Sequence, residues 1–276
     1  MRDNCETILQ VLKRAADSHQ QELKEMVIGR LDDRERQVLA WLFEQYEDEN
    51  KRRWYDPCHV LFSTDFALAL VEEEGCARSI VTAIVLHDIG YFAIEDKTQW
   101  SSPNSRIIHM QEGAALAARV LCENGFSATE IEEIVGMIAV HDNPYIGIPI
   151  RGNVRLEMRD CDRIWVMHVL SFYKDWTSKH RAYAHPKDFL HDRMIQFYGR
   201  EHPFDKDEWR VDTDIVEKNA ARIETPARPL TRKVVQRQFE QRIQELRDDG
   251  LLNDVNGFRT YLASQIDREP FWETQA

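Results

Sequence analysis

The stretch from Ala77 to Asp88 constrains the fold most. Ile80, Val81, Ala83, Ile84, Val85 and Leu86 make it apolar on nearly every side of a helix, so it belongs at the centre of its domain. It cannot cross a bilayer: the uncharged run Ser79 to Leu86 is bounded by Arg78 and by His87-Asp88, whereas a span needs about 18 apolar residues. An aspartate at the end of such a helix, buried without a partner, would cost several kcal/mol or shift its pKa strongly. Something cationic therefore has to stand beside Asp88.

The surrounding sequence is helical in period. Ile8, Leu12 and Ala15, then Val38, Leu39, Leu42, Phe43 and Tyr46, recur at three- and four-residue steps between Glu6 and about Glu49. Asp56-Pro57 reads as an N-cap followed by proline at the first helical position. The helix it opens carries His59 in its first turn and runs through Phe62, Phe66 and Leu70 to a stop at Gly75. After a polar loop from Asp96 to Arg106, Ile107 to Asn124 is expected to be helical and to close with Gly125. Ser127 and Glu130 form a capping box, and Ile131, Ile134, Val135 and Ile138 continue as an apolar stripe to His141, with a stop at Asn143-Pro144. Residues 154–176 form another helix, with Asp160 and Asp162 on it. Val234 to Leu246 and Phe258 to Ile266 read as amphipathic helices. No strand-like alternation of useful length appears, so the expected fold is all-α. Its expected organisation is an N-terminal helical extension (1–54), a core (55–177) and a C-terminal helical extension (178–276).

An internal echo picks out the chemistry. His59 is followed 28 residues later by His87-Asp88, and His109 is followed 32 residues later by His141-Asp142. Each time a histidine helix precedes an apolar helix that ends in His-Asp and a turn. Singly, each of these residues is more often a core histidine or a helix cap than a ligand. Together with Asp162, which has Met158, Trp165 and Val166 as helical neighbours, they form a set of imidazoles and carboxylates suited to divalent metals. Asp160 and Asp162 lie about 200° apart around a helix axis, so one site takes one of them; Asp162 is preferred and Asp160 is the alternative.

The pattern resembles the HD-domain superfamily, whose signature is a histidine on one helix, an adjacent His-Asp on the next and a distant aspartate. Here it reads His59, then Leu86-His87-Asp88-Ile89-Gly90, then Asp162 before Arg163-Ile164, over roughly residues 55 to 170. The resemblance implies a helical bundle and a metal-dependent phosphohydrolase. Members with two further histidines in the places of His109 and His141 hold two metals, which implies a dinuclear centre bridged by Asp88. His59, His87 and Asp162 would complete one metal's ligands, and His109 and His141 the other's. Such a set suits Fe, Mn or Co, with Zn, Ni or Mg as further options. The resemblance also leaves open a mixed-valence di-iron oxygenase, since both chemistries use the same ligands, and a non-catalytic sensory module, which would be expected to have degenerate ligand positions.

Further roles follow from position. Asp142 is a candidate base or histidine orienter and equally a turn cap. Lys97, Arg106, Arg151 and Arg163, with Arg155, are candidates to bind substrate phosphates, each with an alternative as an ordinary surface or paired cation. The acidic balance, 36 Lys+Arg against 48 Asp+Glu for a net charge of -12, opposes nucleic-acid polymers and anionic membranes as partners. It is compatible with a small phosphorylated substrate. Five scattered cysteines without a C-x-x-C spacing, and a start without an apolar leader, lead to the expectation of a cytoplasmic protein with reduced thiols. The terminal segments could cover the site or build a homo-oligomer.

Overall fold

The computed structural model describes residues 17, 20–96, 102–148, 150–151, 154–165 and 171. The described residues from Gln20 to Asp162 belong to one compact unit; of a second unit, Arg163 to Trp165, Asp17 and Ser171 fall among the described residues. Every regular element among the described residues is helical, as the periodicity predicts. The expected helices at 234–246 and 258–266 lie outside the described residues, as does Lys97.

Helix α1 (20–30) and α2 (Asp33–Gln45) are separated by a break at Leu31-Asp32. Asp32 causes it: its carboxylate accepts from Glu35 N while the Glu35 side chain accepts from Asp32 N, a complete capping box. Helix α3 (Asp56–Glu74) ends at Gly75, which takes the left-handed conformation at φ 70°. Asp56 is the first helical residue, and it does not serve as the N-cap. Its carboxylate is engaged by Arg53, through the backbone N–H and Nε at 2.6 Å each, so no oxygen is turned toward the helix's own amides.

Helix α4 (Ser79–Leu86) is the centre of the unit: Ile80 to Leu86 are all buried, and α2, α3 and α6 (Ala128–Ile138) pack around it. Burying five large aliphatic side chains there stabilises the unit by roughly 10 kcal/mol as an upper estimate. The helix is shorter than the sequence suggests, because His87 and Asp88 form a turn that leads into a 3-10 turn at Ile89–Ala93. Helix α5 (Pro103–Glu123) starts four residues before the expected Ile107. Ser102 caps it by accepting from Ser105 N, and Pro103 occupies the first turn, so part of the expected polar loop is helix. Helix α6 has the predicted Ser127–Glu130 capping box and ends at Ile138, followed by turns and a 3-10 segment at Asn143–Ile146. Helix α7 (Glu157–Ile164) carries Asp160 and Asp162.

Ion pairs tie the outer helices to this centre. Arg30 of α1 reaches Asp65 and Glu72 of α3, and Arg78, ahead of α4, clasps the buried Glu35 of α2 at 2.6 and 2.8 Å. Gly90 sets the closest approach. A Cβ placed there would stand 1.8 Å from the His109 carbonyl oxygen and 2.6 Å from Gly113 N. Only a hydrogen at Gly90 lets α5 lie against the turn that follows Asp88, and that approach carries His109 toward His87.

Candidate metal centre

Four histidines converge from four different places. His59 lies in the first turn of α3 and His109 in the second turn of α5, while His87 and His141 sit in the turns after α4 and α6. All four are buried. Nε2 of His59 faces Nε2 of His87 at 3.2 Å, and Nε2 of His109 faces Nε2 of His141 at 3.1 Å.

The other ring nitrogens fix what these close approaches mean. His87 Nδ1 is 2.7 Å from the Ile84 carbonyl oxygen, and His141 Nδ1 is 2.7 Å from that of Ile138. His109 Nδ1 faces the Ser105 carbonyl at 3.3 Å. A carbonyl oxygen only accepts, so each of these Nδ1 atoms carries a proton, and wherever the ring is neutral its lone pair is at Nε2. With both rings neutral, lone pairs would point at each other across the 3.1 Å between His109 and His141. Such an arrangement is repulsive unless a proton or a cation stands between the nitrogens.

The carboxylates complete two groups that share one member. Asp88 Oδ2 lies 3.2 Å from His87 Nε2, whereas Asp88 Oδ1 lies 3.8 and 3.9 Å from Nε2 of His109 and His141. His59, His87 and Asp88 form one triad of potential ligands and Asp88, His109 and His141 a second, each with its donor atoms within 4.8 Å of one another. Asp162 joins the first side, with Oδ1 3.3 Å from His59 Nε2 and 3.4 Å from His87 Nε2. Asp160, two residues away, is buried and belongs to neither triad.

The electrostatics match that geometry. Burial alone would raise Asp88, but His87 and Arg53 hold its carboxyl well below the usual range. Asp162, also raised by burial, is held low by His59 and His87. His87 is pushed down by burial and, more strongly in sum, up by Asp88 and Asp162, ending well above an ordinary histidine. Without a metal, a proton on His87 is thus what satisfies these carboxylates. His109 behaves differently: burial and the neighbouring His141 lower it to about 4. Its lone pair stays available at neutral pH.

No family model, curated protein or solved structure matches the chain. The donor set carries the identification of the site by itself: a helical unit brings His59, His87, Asp88, His109 and His141 together in a group that can bind metal.

Three residues that sequence reasoning passed over shape the centre. Arg53 lies between Asp56 and Asp88, 2.7 Å from Asp88 Oδ2, and its guanidinium sits over the rings of Tyr55 and Tyr91. Tyr91 stacks on His109, with ring centroids 4.2 Å apart and planes 5° from parallel. Arg159, on α7, donates to the His141 carbonyl at 2.6 Å. The available signal for Arg53 and Tyr91 was nearness in sequence to His59 and Asp88, which is weak without the fold. Of the cations suggested for substrate, Arg106 is ion-paired with Asp142 and lies over Tyr145, with its guanidinium 4.6 Å from the ring centroid. Arg155 pairs with Glu133, and Arg151 is exposed. Asp142 is buried, with Oδ2 3.6 Å from His109 Nε2. The side chain of Arg163 lies outside the described residues.

Proposed function

We propose that the chain is a metal-dependent phosphohydrolase of the HD type, acting on a small phosphorylated or nucleotide substrate through a dinuclear centre. The observation that carries the reading is the division of the Asp88 carboxylate, one oxygen toward each histidine pair. In this reading His59, His87, Asp162 and Asp88 hold one ion and His109, His141 and Asp88 the other. Nitrogen and carboxylate donors in this number favour iron, manganese or cobalt. Two such ions, when bound, would supply Lewis acidity toward phosphoryl oxygens and lower the pKa of a bound water.

The chain's own residues do the rest. The carbonyls of Ile84 and Ile138 fix the tautomers of His87 and His141 and aim their Nε2 atoms inward. Arg53 orients Asp88, so that both of its oxygens are used. Charge then favours an anionic substrate. Asp56, Asp88, Asp142 and Asp162 carry four negative charges against two on Arg53 and Arg106; two divalent cations turn that deficit into an excess of positive charge. The histidines are nearly inaccessible, whereas Asp162 and the two arginines keep a fifth to a quarter of their side-chain surface exposed. Substrate would therefore approach past Arg53 and Arg106, the latter in the phosphate-binding role expected of it. Asp142, with Oδ2 3.6 Å from His109 Nε2, is the carboxylate beside this half of the centre.

The test is phosphate release from an aryl phosphate and a nucleotide panel by manganese- or iron-loaded protein. Release that disappears with chelator and in His87→Ala supports the reading. Substrate-dependent oxygen uptake with a mixed-valence iron signal, and no phosphate release, overturns it in favour of an oxygenase.

A further inference from the structure

The two halves of the centre are built alike in more than their histidines. Asp88 and Asp142 each follow a histidine in the turn after an apolar helix, and each is held by an arginine that precedes the helix histidine of its own half: Arg53 before His59, Arg106 before His109. Tyr91 and Tyr145 stand at matching places, each donating its backbone N–H to the aspartate carbonyl at 3.0 Å. Each arginine lies over the matching tyrosine ring, at 4.7 and 4.6 Å.

The halves differ in carboxylates. The first side has two histidines with Asp88 and Asp162, whereas the second has two histidines and only the shared Asp88. Asp142 is the further carboxylate beside the second side, with Oδ2 3.6 Å from His109 Nε2. Metal–ligand bonds of about 2.1 Å at right angles set neighbouring donors roughly 3 Å apart, so a shift of well under 1 Å brings Asp142 to that spacing from His109. The ion pair with Arg106 does not prevent this. A carboxylate offers about four lone-pair sites, and Asp88 faces Arg53 and both histidine pairs at once.

We propose that Asp142 is a direct ligand of the second metal, oriented by Arg106, so that each ion is held by two histidines and two carboxylates. This rests on the dinuclear reading above and adds a ligand to it. The experiment is titration of metal-free, full-length protein with Mn2+ or Co2+, comparing wild type with Asp142→Asn by calorimetry and, for cobalt, by visible spectrum. Wild type is expected to show two binding steps. In Asp142→Asn the second step should weaken by about tenfold or more, with an altered spectrum for the second cobalt, while the first step is unchanged. Two unaltered steps in Asp142→Asn would overturn the proposal and leave the dinuclear reading standing. Loss of both steps would also overturn it, since Asp142 would then be a support of the whole centre. A wild type that binds no metal would overturn both.

Discussion

Replacing Gly90 by alanine tests whether the approach of α5 to the turn after Asp88 builds the centre. The added Cβ would meet the His109 carbonyl oxygen at 1.8 Å, its carbonyl carbon at 2.6 Å and Gly113 N at 2.6 Å. Ordinary carbon–oxygen contact requires well over 3 Å, and all three atoms are backbone, so no side chain can swing aside. The helix has to move by more than 1 Å. Overpacking of this kind costs about 3 kcal/mol, the upper end of its usual range, which in a unit of this size lowers Tm by roughly 6–12 °C. The displacement also separates His109 from Asp88, so the second metal should be lost before the first. Thermal unfolding with metal analysis reads both effects. Gly136→Ala on α6 is the control: beyond the local backbone of its own helix nothing lies within 4 Å of its Cβ position among the described residues, and the change should be neutral or stabilise by up to about 1 kcal/mol. A Gly90→Ala protein with wild-type Tm and metal content would refute the reasoning.

Three further expectations follow from particular contacts. Arg53→Met removes the cation between Asp56 and Asp88, so metal-free protein should lose about 3–5 kcal/mol in urea unfolding and metal-loaded protein distinctly less, because bound cations neutralise Asp88 in its place; equal losses would contradict this. Asp162→Asn should weaken metal binding, whereas Asp160→Asn, at a buried position outside both triads, should alter stability and leave metal stoichiometry as it was. Glu130, held down to about 2 by Arg34 and by the Ser127 cap, contributes stability that is present above the ordinary value of 4.5 and fades as pH falls through about 2. The stability difference between wild type and Glu130→Gln should therefore shrink on acidification, and a constant difference would rule out this linkage.

The sequence carried the fold well where local chemistry decides it. The Ser127–Glu130 capping box and the glycine stops at 75 and 125 depend on neighbouring residues alone, and each is present. Local reading failed where distant groups compete. Asp56 looks like a cap, but Arg53 engages its carboxylate; Ser102-Pro103 looks like loop, yet it opens α5. The four histidines were visible because two of them stand in His-Asp pairs just after apolar helices. Arg53 and Tyr91 were not, because their part in the centre depends on α3, α5 and the turn after Asp88 meeting in space.

Elemental analysis of purified protein, titrated to saturation with manganese or iron, tests the central claim most directly. The shared position of Asp88 between two histidine pairs predicts two metals per chain and a loss of metal in Asp88→Ala. A chain that takes up no metal, or an Asp88→Ala protein with unchanged content, would contradict it.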